Sequence, residues 1–333
     1  MQADNVSSSG AIQRSAVEHA PIALFVYRRA DHVAALLRDL HDNEPAAASR
    51  LYVFSDAPAK DEDAVAVTGV RELVRAIDGF RSVELVERRD NLGCAANVID
   101  GVSQVLSAHD RVIVVEDDLR LSPYFLDYMN AALACYRQRD DIFSVSAFAP
   151  RPVDLGLPSD YGADVYLSRR NASWGWGTWA DRWRRVDWAV ADYATFSNDR
   201  HRRAAFDGGG NDLSLMLDEQ MAGRIDSWSI RFSFAHYRHA AFSVCPRHSY
   251  TAHAGCDGRG THVPRGHAVH VDLERALRAP SLPADLAPDP AVLAALRRFH
   301  GESDIAAMLG RIPGVRAGVR WVKRRLGIEG RLL

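Results

Sequence analysis

The stretch RVIVVEDDLRLSPYF, residues 111–125, runs Val112, Ile113, Val114 and Val115 straight into three acids, Glu116, Asp117 and Asp118. An apolar run of this length reads as a buried strand. Three adjacent carboxylates repel one another and resist burial, so a strand ending on them needs a cation or a dense set of hydrogen-bond donors opposite. A divalent metal meets that need, and a solvated acidic turn is the plain alternative. Ser122 and Pro123 then make a good helix start, with Phe125, Met129, Ala132, Leu133 and Tyr136 as its apolar stripe. The acids therefore lie in a short strand-to-helix turn.

Upstream, the same alternation repeats. Ile22–Val26 is of strand length, and Asp31 opens a stretch with Val33, Leu36, Leu37 and Leu40 at helical spacing. A strand at Leu51–Phe54, a helix around Val65–Ile77, a strand at Val83–Val86 and a helix around Ala95–Leu106 follow, and Phe143–Phe148 reads as a further strand. Strands alternating with amphipathic helices predict an α/β fold, Rossmann-like, with a mostly parallel central sheet flanked by helices. Ligands in such sheets sit outside the carboxyl ends of the strands. After Pro150 the sequence turns to tryptophans, arginines and a glycine triplet at 208–210, which predicts less regular structure and a second functional half. Residues 276–300 read as a helical appendage whose last helix opens at Asp289–Pro290.

The totals exclude several classes. The chain has 333 residues, 47% hydrophobic and 25% charged, with a formal net charge of −2. That is ordinary soluble composition, without the basic excess that nucleic acid binding usually needs. Cys94, Cys135, Cys245 and Cys256 include no C-x-x-C pair, which argues against a structural zinc site or a disulfide scaffold. Histidines at 248, 253, 262, 267 and 270 match no zinc spacing. No run approaches the roughly 18 apolar residues of a membrane span, and MQADNVSSSGAIQRS lacks a signal-peptide core. These features predict a cytoplasmic protein.

An apolar strand, then Glu-Asp-Asp-Leu, then a Pro-Tyr-Phe helix start resembles the metal motif of GT-A glycosyltransferases. The N-acetylglucosaminyltransferase I type carries the same four residues, and bacterial family 2-like enzymes are similar. The resemblance spans roughly residues 21–265 and implies manganese or magnesium held against a nucleotide-sugar diphosphate. It makes Asp118 the metal ligand, with Asp117 toward the donor's ribose or sugar and Glu116 at the sugar. Arg29, in FVYRRAD, resembles an arginine near the nucleotide, and Asp56, in YVFSDAP, the acid that recognises uracil. Asn91, Gly93 and Asn97, in DNLGCAAN, resemble a loop-to-helix segment beside the nucleotide, the alternative being an Asn/Gly turn opening a helix.

An inverting transfer needs a carboxylate to take the acceptor hydroxyl's proton. By resemblance the base lies in NDLSLMLDEQMAGRIDSW, residues 211–228. Glu219, before Gln220, fits the bacterial pattern, Asp218 fits the acetylglucosaminyltransferase spacing, and helical geometry points the two apart. In NASWGWGTWADRW, Trp174 and Trp176 are expected to border donor and acceptor, with Trp179 and Trp183 in the core. SYTAHAGCDGRGTH resembles a loop that orders over the bound nucleotide, with Gly258, Thr261 and His262 near the diphosphate.

The resulting layout is a disordered tail at 1–20, a nucleotide-sugar-binding half at 21–150, an acceptor and catalytic half with a lid at 151–275, and a helical appendage at 276–333. The appendage ends in a basic segment with Val315, Val319, Val322 and Leu326 on one helical face. Such a helix can lie on an anionic membrane surface or dock on its own domain. The membrane reading places the protein peripherally at the inner face of the cytoplasmic membrane. The acceptor is then a saccharide or lipid-linked glycan of surface polysaccharide or lipopolysaccharide synthesis. Two other function classes compete: a non-catalytic glycosyltransferase-like binding protein, and a sugar-nucleotide pyrophosphorylase. The second expects a Gly-rich loop where this chain has YRRADH.

Overall fold

The computed structural model describes residues 19–157, 160–254 and 270–300. Its strands are β1 (Ile22–Val26), β2 (Arg50–Ser55), β3 (Ser82–Glu87), β4 (Arg111–Glu116), β5 (Leu119–Leu121), β6 (Ile142–Ser146), β7 (Val165–Ser168), β8 (Trp176–Trp179), β9 (Phe242–Pro246) and β10 (Thr251–His253). The helices of the first half are α1 (Ala30–His41), α2 (Ala64–Arg75), α3 (Gly93–Ala108) and α4 (Phe125–Cys135). Later come α5 (Pro152–Leu155), α6 (Ala180–Trp183), α7 (Tyr193–Asn198), α8 (Arg200–Phe206), α9 (Leu213–Met221), α10 (Trp228–Arg238) and α11 (Pro290–His300).

Eight strands form one sheet in the order β3-β2-β1-β4-β8-β6-β9-β7, with β8 and β7 antiparallel to their neighbours. The α/β fold with a mostly parallel, helix-flanked sheet that the sequence predicts is the fold observed. Successive side chains of a strand face opposite sides, so β1 and β4, apolar throughout, feed two cores at once. Ile22, Leu24, Val26, Ile113 and Val115 pack with α1, α2 and α4. Ala23, Phe25, Val112 and Val114 pack with α3, Trp176, Trp183, Trp228 and Phe232 on the other side. The strand order reverses between β1 and β4, and a crevice opens outside their carboxyl ends at such a switch point.

Strands β7, β8 and β9 lie where the sequence predicts irregular structure. Trp176-Gly177-Thr178-Trp179 shows no apolar–polar alternation because both faces of β8 are covered: all four residues are buried. A Cβ on Gly177 would come within 2.8 Å of Val112 O, so glycine lets β8 lie against β4. Trp179 and Trp183 are core residues, as expected, but their four-residue spacing runs from a strand into a helix. Helix α11 covers β7 and β9 through Val292, Ala295 and Leu296. The basic segment after His300 and most of the N-terminal tail lie outside the described residues. No helix among the described residues is long and apolar enough to cross a membrane.

His236, in α10, is fully buried. Its Nδ1 lies 2.8 Å from Phe232 O and its Nε2 2.8 Å from Ser144 Oγ. Burial pushes its pKa down from 6.5 to about 4. The folded protein therefore keeps this imidazole neutral at pH values where the unfolded chain takes up a proton, and protonation favours unfolding. Stability is expected to fall as pH drops from 6.5 toward 4, with His236 contributing up to ~3 kcal/mol of the loss. Denaturant titrations across that range should show a flatter profile for His236→Gln, and identical slopes would exclude this imidazole as a source.

Helix α10 ends with Ala241 N–H donating to His236 O at 2.8 Å and Ala240 N–H to Tyr237 O at 3.1 Å. This double closure puts the residue after the C-cap in the left-handed region, which favours glycine. Here that residue is the exposed Ala240, at φ 50°. Ala240→Gly should raise unfolding stability by ~0.5–1 kcal/mol, read as a higher melting temperature.

Candidate active site

The acids of the quoted stretch sit in the crevice at the switch point. Continuing the alternation of β4, Glu116 falls on the side of Val112 and Val114, where Trp228 at the start of α10 hydrogen-bonds its carboxyl. Burial, then the charges of Asp118 and Asp117, push the Glu116 pKa up to about 8. Asp117 is buried and reaches the end of β1: Tyr27 N–H donates to its Oδ2 at 3.2 Å and Arg29 Nη2 to its Oδ1 at 2.5 Å. Arg29 Nη2 also donates to Asp118 Oδ2 at 3.0 Å.

The third partner of the acids comes from β10, which pairs antiparallel with β5. That pairing brings His253 Nε2 to 3.3 Å from Asp118 Oδ2, with only 6% of the imidazole side chain exposed. Ala254 N–H donates to Asp118 O at 2.7 Å and fixes the turn from the other side. Burial works against ionised Asp118, but the bond to His253, its charge and Arg29 outweigh it and hold the pKa at about 2. Asp118 thus stays ionised between the Arg29 guanidinium and the His253 ring.

A fourth acid joins from the second half of the chain. Asp226, two residues before α10, accepts a hydrogen bond from Ala95 N–H in the first turn of α3 at 3.1 Å. Trp228, two residues after Asp226, hydrogen-bonds the Glu116 carboxyl, so the start of α10 meets the acid turn. Gly93 makes room for Asp226: its φ is 76°, and a Cβ there would stand 3.0 Å from Asp226 Oδ2.

The expected base candidates, Asp218 and Glu219, are each paired with an arginine. Asp218 takes Arg203 Nη1 and Nη2, both at 2.8 Å, and the Tyr193 hydroxyl at 3.0 Å. Glu219 takes Arg224 Nε at 2.6 Å and Nη2 at 3.0 Å. Each carboxylate is held in a two-pronged arginine pair, Asp218 by Arg203 of α8 and Glu219 by Arg224 in the turn after α9. Residue spacing on α9 separated the two acids correctly but could not show the arginines opposite each.

Asp56, at the end of β2, is buried and binds backbone: Ala57 and Leu92 N–H donate to Oδ1 at 2.9 Å each, and Gly93 N–H to Oδ2 at 3.0 Å. Asn91 Nδ2 donates to Ala57 O at 2.6 Å, so Asp56 and Asn91 stitch the β2 loop to the start of α3. Asn97 is buried in α3, where its Oδ1 accepts from Arg88 Nε at 3.0 Å. The expectation for Trp176 needs correction. It is fully buried in β8 and stacks on Trp183 and Trp228 with centroids at 5.7 and 4.6 Å, so neither face of the ring is free for a sugar. Trp174 is half-buried at the crevice, 4.8 Å from the His253 ring and edge-on to Phe148 at 4.5 Å. Gly258, Thr261 and His262 lie outside the described residues.

Sequence reasoning did not assign His253 or Asp226. The signal for Asp226 was a helix start: Ser227 caps α10, its Oγ accepting from Ile230 N–H at 3.4 Å, and an acid just ahead of a cap projects from the helix end. For His253 the pairing of β10 with β5 carries the information, and its three-residue strand has no periodicity to detect.

Among the described residues no group of three or more His, Cys, Asp or Glu side chains is arranged to hold a metal ion. Two such groups do meet, Asp118 and His253. Neighbouring ligands on a six-coordinate ion with bonds of about 2.1 Å lie roughly 3 Å apart. The 3.3 Å between Asp118 Oδ2 and His253 Nε2 fits that edge. Hard divalent ions that act on phosphates commonly take only one or two protein ligands, the substrate oxygens supplying others.

No protein-family model and no curated protein matches the sequence. Among solved structures, the chain is similar to the mannosyltransferase PcManGT from Pyrobaculum calidifontis, in complex with GDP-Man and Mn2+, with TM-score 0.37 and 14% identity over 67% of this chain and 70% of that one. It is also similar to TarS of S. aureus, with TM-score 0.40 and 10% identity over 71% of this chain and 37% of TarS, so it spans well under half of that protein. Likeness at this level is one of outline.

Proposed function

We propose that the protein is a glycosyltransferase that moves a sugar, with inversion, from a nucleotide-diphosphate donor to a hydroxyl of a saccharide or lipid-linked glycan. The observation that carries this reading is the convergence of Arg29, Asp117, Asp118, His253 and Asp226 at one switch-point crevice. Asp118 and His253 would hold Mn2+ or Mg2+, and the bound ion offsets charge on the departing nucleoside diphosphate. Arg29 adds a fixed positive charge beside the diphosphate. Asp226 is assigned as the base that takes the acceptor proton, in place of Asp218 and Glu219. Trp174 offers a partly open ring for a sugar face. By the resemblance at Asp56 the donor base is uracil, and UDP-GlcNAc is one UDP-sugar to try.

Thermal-shift screening of UDP- and GDP-sugars with Mn2+ tests this directly. A donor that raises the melting temperature only with the cation supports the proposal. Slow cation-dependent hydrolysis of the same donor separates an enzyme from a binding protein. Absence of any cation-dependent shift across the panel would contradict it.

A further inference from the structure

Asp118 Oδ2 has two claimants, Arg29 Nη2 at 3.0 Å and His253 Nε2 at 3.3 Å. The same Nη2 also holds Asp117 Oδ1 at 2.5 Å. Arg29 Nη1, by contrast, is buried without a hydrogen-bond partner. A guanidinium is planar and permanently charged, so one arm fixed on two carboxylates also fixes the direction of the other. A buried donor left unmade is costly and is usually matched by some acceptor. The arrangement therefore offers an N–H to an anion beside the oxygen that a cation would use.

On the reading of this crevice as a cation–diphosphate site, we propose that Arg29 is the exchange partner of the cation. Its Nη2 and the divalent ion compete for Asp118 Oδ2, and the diphosphate that accompanies the ion receives the guanidinium through Nη1. Cation and nucleotide then bind cooperatively, because each removes an obstacle to the other.

Mn2+ titrations of the full chain, read by the EPR signal of free Mn2+ with and without UDP or GDP, test this exchange. In wild type the nucleotide should tighten Mn2+ binding. Without nucleotide, Arg29→Gln should bind Mn2+ about 10- to 100-fold tighter than wild type, and nucleotide should tighten it further by less than in wild type. Arg29→Lys keeps a charge but lacks the fork, and should fall between the two. Mn2+ binding to Arg29→Gln that is equal to or weaker than wild type, or an undiminished nucleotide effect, would overturn the exchange. If Asp118→Asn leaves Mn2+ affinity unchanged in both the wild-type and Arg29→Gln backgrounds, the cation site itself is misplaced and the proposed function fails with it.

Discussion

Asp118→Ala should abolish the cation-dependent part of nucleotide binding, lowering affinity for a nucleoside diphosphate in Mn2+ by about a hundredfold or more. The expectation follows from the position of one oxygen. Asp118 Oδ2 is shared by Arg29 and His253, and its carboxyl is held at about 2, so it is ionised at every pH at which the protein would be assayed. Removing it takes away the acid that both Arg29 and His253 contact. Calorimetric titration with and without Mn2+ measures the effect. Affinity that still depends on Mn2+ in this variant would remove Asp118 from the site. Asp118→Asn keeps the volume and tests whether charge, and not shape, carries the loss.

Asp226→Asn should lower transfer by about 10²- to 10⁴-fold while donor binding stays unchanged. Asp226 is anchored through Oδ2 by Ala95 N–H and lies two residues before Trp228, which hydrogen-bonds Glu116. Asp218→Asn and Glu219→Gln each break an arginine pair at a partly exposed position, which should cost stability by no more than ~1 kcal/mol and leave turnover in place. If either abolishes transfer alone while Asp226→Asn does not, the base returns to α9. Gly93→Ala would move the Asp226 carboxylate without touching its charge, and a loss of turnover there would show that its placement matters.

The first half of the chain was legible because its strands are buried on both faces and its helices carry a clear apolar stripe. Ile22–Val26 and Val112–Val115 announce themselves by continuous apolar residues, and their place in a parallel sheet follows from alternation with α1, α2 and α3. That ordering already placed Arg29 and Asp118 at strand ends facing one crevice. The second half hid its strands. Trp176–Trp179 contributes to the sheet through tryptophans and a glycine required by close approach to β4, a pattern that reads equally well as a sugar-binding loop. Trp176 was assigned a ligand role for that reason, and stacking on Trp228 and Trp183 is the physical answer. Asp218 looked available because Arg203 reaches it only after α8 and α9 pack, and Glu219 because the turn that folds Arg224 back onto it carries no periodic signal. Asp226 was passed over because its neighbours are Ala95 and the acids of β4, more than a hundred residues away.

The most direct test is to locate the cation. In crystals of the protein soaked with Mn2+ and a nucleoside diphosphate, anomalous scattering at the manganese edge should give one strong peak within bonding distance of both Asp118 Oδ2 and His253 Nε2. Arg29 should then have turned from Asp118 toward a phosphate oxygen. A peak elsewhere, or bound nucleotide with no peak at Asp118, would contradict the account.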